Sequence, residues 1–418
     1  MTTIRLFLAI VVAQNWHVHH LDVNNAFLHG DLDQEVYMKL PPGYKPPAGF
    51  KSPVCLLKKS LYGLKQASRQ WFSKLADKLR SQGYQSRKVD HSLLYKATKS
   101  SYTCILVYVD DLVIGGTDLQ EITSLKQSLH NAFSIKDLGP LKFFLSIKVA
   151  RSKQGIHISQ RKYTLEILEE ADLLNCKPVT TPMDYKIHLS SQHSDPFQDP
   201  TLYRRLVGKL IYLTTTRPEI SYTTQQVSQF MSNPSQDHYK AVLRILKYLK
   251  STPSSGLFFS ATSSLQLKAF SDSDWAACID TRRSTTGYCV YLGDSLISWK
   301  SKKQTTISRS SYEAEYRALA HTSCEIQWIL YLLQCYKLAI PNQQFFIATT
   351  SLQSTSPKIQ PSMKGRNTLS LTAILCATRS SPTSSRCFTS PPCISWQISS
   401  PNLFLRRPSI TFSPSLVC

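Results

Sequence analysis

Short apolar runs alternate with amphipathic stretches along the first 150 residues, which predicts an α+β domain. Two of these runs, Cys104–Val109 and Leu112–Ile114, flank the adjacent aspartates Asp110 and Asp111. β-Prone segments around a polar tip predict a β-hairpin that carries both carboxylates at its turn. An ordinary solvated turn fits this pattern about equally well, because Asp is common in turns.

Helical periodicity appears between these strands and again later in the chain. Leu64, Trp71, Leu75 and Leu79 recur at helical spacing, which predicts an amphipathic helix within Ser60–Ser81. By the same criteria, helices are predicted at 163–174, within 202–249 and at 310–333, and strands at 267–270, 288–292 and 295–299.

Two stretches interrupt the pattern of helices and strands. Residues 185–200 are polar and contain prolines, which is typical of a linker. No Asp or Glu occurs from Ile326 to Cys418, where Ser, Thr and Pro become frequent. Many Leu, Ile, Phe and Cys residues remain there, so the composition is neither that of a disordered tail nor that of a globular domain.

Length and charge limit the possible functions. A chain of 418 residues has room for two or three domains. Its 49 Lys and Arg against 27 Asp and Glu leave a net charge of +22, which favours a polyanionic partner such as nucleic acid. No apolar run approaches the roughly 18 residues of a membrane span. The start has no signal-peptide cleavage site, and the 11 cysteines form no C-x-x-C pairs, so an intracellular, non-secreted protein is expected.

Adjacent carboxylates repel each other, so a divalent cation is the expected reason for holding Asp110 and Asp111 together. Carboxylates that clamp two metal ions are typical of phosphoryl transfer. Asp22 follows an apolar residue at the end of a predicted strand and is a candidate third ligand. For a lone Asp, a cap or turn role is favoured about three to one. A metal site formed by His17, His19 and His20 is expected with a weight of only about one in ten.

A second candidate cluster lies at the start of the helix predicted within Ser60–Ser81. Gly63 would allow close approach of the backbone, while Lys65, Gln66 and Arg69 supply cationic and amide donors for a nucleotide or template. The alternative is an ordinary amphipathic helix with no ligand.

In this order, the sequence blocks resemble those of the polymerase of Copia-type (Ty1/copia) long-terminal-repeat retrotransposons. The resemblance covers about residues 3 to 344. It rests on Leu21–Leu28 (LDVNNAFL), Leu61–Ala67 (LYGLKQA), Tyr108–Asp111 (YVDD), Asp137–Leu141 (DLGPL) and Arg217–Tyr222 (RPEISY).

The resemblance implies a right-hand polymerase with Mg²⁺ as cofactor and an RNA template, DNA primer, RNA–DNA hybrid and deoxynucleoside triphosphates as partners. Asp22, Asp110 and Asp111 would bind two Mg²⁺ ions, and Gly63, Lys65, Gln66 and Arg69 would face the nucleotide or template. The implied domains are a reverse transcriptase palm and thumb at 1–184 that lacks most of the fingers, a linker and helical connection at 185–264, a partial ribonuclease H-like α/β domain at 265–344 and an unstructured tail at 345–418.

The resemblance also implies a second metal site. Asp272, in Phe270–Trp275, and Glu315, in Ser310–Tyr316, match the first two ribonuclease H carboxylates. The family has a third on a later strand, and no acidic residue follows Glu325. When the codons from Phe346 onward are read one nucleotide earlier, they give residues like those of the family, so we expect a frame slip near 343–346.

Ser146 stands where the family usually has Gly, a change expected to be tolerated within a strand.

These observations predict an ancestral RNA-directed DNA polymerase that is inactive or very weak as an isolated chain, because its fingers segment is missing. Ribonuclease H activity is not expected. The alternative is a non-catalytic nucleic-acid-binding remnant of a degenerate retroelement, for which the positive charge is the main support.

Overall fold

The structure, a computed structural model, describes residues 1–44, 53–184, 189–191, 194–337, 344–349 and 372–376. Part of the predicted linker at 185–200 and most of the predicted tail at 345–418 lie outside these residues. The fold is mixed α/β with several antiparallel sheets. The chain divides into a smaller unit, residues 14–144 with 331–338, and a larger unit, residues 1–13, 145–330 and 339–418.

The smaller unit is built around one antiparallel sheet with the strand order β4-β5-β6-β7-β1-β8. Helices α2 and α3 cover it, and β2 pairs with β3 in a separate hairpin. Its elements are β1 (His17–Asp22), a 3₁₀ helix (Ala26–His29), β2 (Tyr37–Lys39), β3 (Val54–Leu56), α2 (Ala67–Ser81), β4 (Gln85–Arg87), β5 (Asp90–Ala97), β6 (Tyr102–Tyr108), β7 (Asp111–Gly116), α3 (Leu119–Phe133), β8 (Lys136–Pro140) and β9 (Phe143–Phe144).

One apolar core joins these helices to the sheet. Leu75 and Leu79 of α2 and Leu129 of α3 pack against Ile105 of β6 and Ile114 of β7, and all five are fully buried. The helical spacing of the apolar residues in α2 and α3 gives each helix one apolar face for this contact. The core therefore fixes the helices on one face of the sheet, and the strand ends that carry the acidic residues stay at its edge.

The larger unit contains two further antiparallel arrangements and a helical cluster. Strands β10, β11 and β12 pair in that order, and β15, β14 and β13 form a second meander. Its elements are α1 (Thr2–Ala13), β10 (Ile147–Arg151), β11 (Gly155–Ser159), α4 (Arg161–Glu170), α5 (Pro200–Leu213), a 3₁₀ helix (Pro218–Ile220), α6 (Ser221–Ser228), α7 (Gln236–Ser251), β12 (Gly256–Ser260), β13 (Leu267–Asp274), β14 (Thr285–Leu292), β15 (Ser295–Lys303), α8 (Ser311–Cys335), β16 (Gln344–Thr349) and β17 (Thr372–Cys376).

Several predicted boundaries differ from those in the structure. The helix predicted within Ser60–Ser81 begins only at Ala67. Gly63 has a φ of +95°, which is incompatible with a helix, and Gln66 is the residue immediately before α2. The helical region 202–249 is divided into α5, α6 and α7, since Pro218 and Pro234 interrupt it.

The strand predicted around Ser146 is also interrupted. Ser146 lies in a turn immediately before β10, with a φ of +59°. This left-handed conformation favours glycine, so the sequence-based expectation that a serine would sit there within a strand was wrong. Within the described residues, no helix is long and apolar enough to span a membrane.

A buried arginine organises the helical cluster of the larger unit. Arg217 is 1% exposed, and its guanidinium donates to the Thr252 carbonyl oxygen at 2.7 Å and to the Thr252 hydroxyl at 2.9 Å. Glu219 accepts from the Arg217 Nε. These bonds tie the segment before α6 to the end of α7, and they satisfy a charge that would otherwise be costly to bury.

We predict that Arg217→Met lowers the free energy of unfolding of the larger unit by about 2–4 kcal/mol, because it removes the hydrogen bonds of a buried guanidinium and leaves Glu219 without its cationic partner. Arg204→Met is the matched control, since Arg204 also donates to backbone carbonyls, of Met231 and Ser232, but is exposed. Its expected cost is below about 1 kcal/mol. Urea unfolding measures both values, and equal costs would contradict the role assigned to Arg217.

Candidate active site

The pairing of β1 with β7 brings the predicted carboxylates of the smaller unit together. In this antiparallel pair, Asp22 is the direct partner of Asp111, and His17 is the partner of Gly116 at the other end. Strand β6 pairs with β7 so that Tyr108 faces Asp111. The predicted hairpin is therefore confirmed: Val109 and Asp110 form its two-residue turn, and Asp22 lies beside it at the same end of the sheet.

The turn has an unusual backbone for its sequence. Val109 has a φ of +58°, whereas the φ of Asp110 is not positive. A positive φ at the first central residue alone is the pattern of a type II′ hairpin turn, which strongly prefers glycine there. A β-branched residue in this region is a strained outlier, typically at a cost of about 1–3 kcal/mol. Contacts elsewhere in the unit must therefore hold this conformation.

Both turn carbonyls accept hydrogen bonds from other parts of the chain. The indole Nε1 of Trp71 in α2 donates to the Val109 oxygen at 2.7 Å. The backbone N–H of Val23, directly after Asp22, donates to the Asp110 oxygen at 2.9 Å. Two sequence blocks that are far apart in the chain are thus bonded to the third block at its turn.

His20 contacts one of the candidate metal ligands. Its Nε2 lies 2.9 Å from Asp111 Oδ1, and the residue is 8% exposed. Because side chains alternate along a strand, His20 and Asp22 share one face of β1. From the sequence, His20 is considered only as part of a histidine metal site, so this contact is not predicted. The i, i+2 spacing of His20 and Asp22 within a predicted strand was the available signal.

The donor chemistry of this site suits magnesium. Asp22, Asp110 and Asp111 are partly buried at one strand end and offer only carboxylate oxygens, the ligands that Mg²⁺ prefers. Over the described ranges, however, no three His, Cys, Asp or Glu side chains are already close enough to hold a metal ion. The backbone thus brings the three residues together, while their side chains do not form a preassembled cage.

The second cluster lies at the start of α2. Gln66 is the residue before the helix, Lys65 and Arg69 are exposed, and Gly63 takes a positive φ with open space around it. The predicted position at a helix start is confirmed. Gly63 is accounted for by its backbone conformation; a close approach of other protein atoms does not occur there.

Two further predicted ligands meet in the larger unit. Asp272 lies near the end of β13, and Glu315 lies in the second turn of α8. Burial of Glu315 and the nearby negative charge of Asp272 raise the pKa of the Glu315 carboxyl to about 7. Both Glu315 oxygens are shielded from solvent and lack a hydrogen bond of normal geometry. The neighbouring Ser273 amide lowers the pKa of Glu315, but by less than burial and Asp272 raise it. Such an unpaired carboxylate fits a cation as its partner.

Strand β16 lies beside this pair of carboxylates. It runs parallel to β13, with Ala348 opposite Phe270 and Thr349 opposite Ser271. The Copia resemblance implies a third carboxylate on a later strand of this domain, yet the residues of β16 (QFFIAT) include no acid. Among the described residues, Asp272 and Glu315 therefore have no third acidic partner from β16.

The raised pKa of Glu315 gives the larger unit a defined pH dependence. The folded state binds the Glu315 proton more tightly than the unfolded chain, whose Glu has a pKa near 4.5. Stability should therefore fall as the pH rises from about 4.5 to about 7 and stay low above that range. We predict that Glu315→Gln stabilises the unit by about 1–3 kcal/mol at pH 8 and has little effect below pH 4.5.

Glu313→Gln is the matched control for this measurement. Hydrogen bonds from the Arg309 backbone amide and the Arg317 side chain lower the pKa of Glu313. Its charge therefore favours the folded state above its unfolded pKa, and its removal should destabilise the unit there. Urea titrations at several pH values test both signs. A Glu315→Gln variant that is less stable than wild type at pH 8 would refute the assignment.

Comparison of the sequence with known proteins shows the family of this chain. The family model of reverse transcriptases (RNA-dependent DNA polymerases) matches residues 1–185. The chain is 45% identical over 334 residues to the retrovirus-related Pol polyprotein from transposon RE2 and 46% identical over 334 residues to that from RE1, both of Arabidopsis thaliana. Each alignment covers 79% of this chain and 23% of the polyprotein.

A shorter relative matches over its full length. The putative transposon Ty5-1 protein of Saccharomyces cerevisiae is 32% identical over 311 residues, which are 73% of this chain and 100% of that protein. The match extends well beyond the carboxylate blocks and includes residues from both units. The chain therefore belongs to the Pol proteins of Ty1/copia-type retrotransposons, and its residues 1–185 belong to their reverse transcriptase family.

Proposed function

We propose that the smaller unit carries the catalytic site of an RNA-directed DNA polymerase, with Asp22, Asp110 and Asp111 as its metal-binding carboxylates. The observation that supports this proposal most is the strand register that sets Asp22 opposite Asp111, with Asp110 at the adjoining turn. In this assignment the unit corresponds to the palm. Its substrates are an RNA template, a DNA primer and deoxynucleoside triphosphates, by analogy with the family.

The protein groups contribute position and charge to this reaction. The three carboxylates concentrate negative charge where two Mg²⁺ ions would bind, and His20 holds one oxygen of Asp111 in place. When bound, Mg²⁺ would activate the primer 3′-hydroxyl and neutralise charge on the nucleotide phosphates. The exposed cations Lys65 and Arg69 at the start of α2 would bind the nucleotide or template backbone.

We further propose that the larger unit binds an RNA–DNA hybrid without cleaving it. Asp272 and Glu315 form a two-carboxylate pair on a ribonuclease H-like arrangement of β13, β14, β15 and α8. The parallel neighbour β16 brings no third acid. Two-metal hydrolysis depends on carboxylates on both sides of the metal pair, and within the described part of this unit β16 does not supply the further one.

Primer extension tests the polymerase assignment. With a homopolymeric RNA template, a DNA primer and Mg²⁺, we expect slow but measurable incorporation. Asp110→Asn should lower that rate by at least about 100-fold, because it removes a negative ligand from the metal pair. Asp118→Asn is a control, since Asp118 caps α3 and follows β7 at the end opposite to Asp111.

The result of this assay separates the alternatives. Incorporation that survives Asp110→Asn would place the reaction elsewhere or in a contaminant. Complete absence of incorporation, even in Mn²⁺, together with retained binding of nucleic acid would favour the non-catalytic remnant.

Binding to an RNA–DNA hybrid should occur in either case and should depend strongly on salt. Since the chain carries a net charge of +22, phosphate contacts are expected to dominate its affinity. We predict at least about a tenfold weakening between about 50 and about 200 mM NaCl, with no hybrid cleavage in Mg²⁺. Fluorescence anisotropy and gel analysis of the labelled RNA strand measure the two quantities. Cleavage that Asp272→Asn abolishes would contradict the non-cleaving role of the larger unit.

A further inference from the structure

We propose that Trp71 is a positioning residue for the carboxylates at the hairpin turn and acts through its indole N–H. This inference rests on the polymerase function proposed above for the smaller unit. Trp71 lies in α2, and its Nε1 reaches the Val109 carbonyl oxygen at 2.7 Å. Neither Gly63, Lys65 nor Arg69, the residues singled out from the same sequence block, makes this connection.

The turn has a particular need for such a bond. Val109 is held at a φ of +58°, although its side chain is 39% exposed and gains little from burial. Local interactions therefore do not explain why the strained conformation persists. The adjacent residues Asp110 and Asp111 take their directions from the same turn, so a relaxed φ at Val109 would redirect the first carboxylate relative to the second.

Trp71 is well suited to supply this support because the rest of its ring is immobilised. The residue is 1% exposed, and its ring makes an edge-to-face contact with Phe133 at 5.1 Å between centroids. His29 packs on it at 5.7 Å. A donor fixed by packing on several sides loses little conformational freedom when it binds the turn, so its hydrogen bond can act as a rigid reference point.

The approach of α2 to this position depends on a glycine. A Cβ atom on Gly30 would lie 3.0 Å from both the Gln70 Cβ and the Trp71 backbone nitrogen. The Gly30 carbonyl oxygen also accepts from the Ser60 amide at 3.0 Å, just before the α2 block. The segment from Val23 to Gly30 therefore contacts both parts of the arrangement: Val23 donates to the turn, and Gly30 packs against the helix that carries Trp71.

The indole N–H can be removed without changing the shape of the side chain. We propose to replace Trp71 by β-(3-benzothienyl)alanine, in which a sulfur takes the place of the N–H. The Val23 amide, which donates to the Asp110 oxygen, reports on the turn. Its hydrogen exchange should become about fivefold faster once the Val109 carbonyl has lost its donor. The affinity for Mn²⁺, measured by electron paramagnetic resonance, should weaken by a similar factor.

Two controls distinguish positioning from general stability. The same replacement at Trp16 alters a buried indole at the other end of β1 and should leave both readouts within about twofold of wild type. Leu75→Ala removes core contacts one turn along α2 and should lower global stability without selectively opening the turn.

A double-mutant cycle with Val109→Gly tests the link to backbone strain. Glycine adopts a positive φ without penalty, so the turn would depend less on its anchor. Loss of the Trp71 N–H should then accelerate Val23 exchange by less than about twofold. Equal effects in both backgrounds would refute the coupling between Trp71 and the strain at Val109.

Each of the two measurements can contradict a different part of the proposal. Unchanged exchange in the benzothienyl variant would overturn the anchoring role of Trp71, whatever the protein catalyses. Faster exchange with unchanged Mn²⁺ affinity would overturn its role in positioning the carboxylates. If wild-type Mn²⁺ binding does not depend on Asp110, the proposed polymerase site itself is wrong, and with it the positioning role.

Discussion

The antiparallel pairing of β1 with β7 is the interaction on which the candidate active site depends. Its register makes Asp22 the partner of Asp111, and the hairpin of β6 and β7 then supplies Asp110. A slip of one residue would turn the Asp22 side chain to the opposite face of the sheet. The apolar residues on the core face, such as Leu21 and Leu112, prevent this slip because it would expose them. Core packing thus sets the alignment of the charged residues.

The turn adds a cost that this packing does not remove. A valine stands where a type II′ turn prefers glycine, and its conformation persists because Trp71 and Val23 bind the two turn carbonyls. The segments that provide the first carboxylate, the turn and the helix are therefore joined by hydrogen bonds and not only by proximity. Because contacts from distant parts of the chain maintain the strained φ of Val109, the orientation of the two aspartate side chains depends on the whole unit.

Part of this arrangement could be read from the sequence. The apolar runs around Asp110 and Asp111 predict the hairpin, because strand propensity and a polar tip are local signals. The bond of Trp71 to Val109 could not be derived in this way, since it joins residues far apart in the chain. Periodicity assigned Trp71 to an apolar helix face, which is correct, but it does not show where the indole N–H points. Similarly, the helix start at Ala67 depends on the φ of Gly63.

The two carboxylate sites differ in how the folded chain tolerates their charge. Asp111 is partly exposed and meets His20, whereas Glu315 has shielded oxygens beside Asp272 and a pKa raised to about 7. Near neutral pH, a proton can neutralise the shielded Glu315 carboxyl, which lowers the cost of burying it beside Asp272. At the hairpin, the alignment of Asp110 and Asp111 depends on the hydrogen bonds that Trp71 and Val23 donate to the turn carbonyls. A change of pH would therefore affect protonation in the larger unit, whereas loss of the turn bonds would affect the orientation of the carboxylates in the smaller unit.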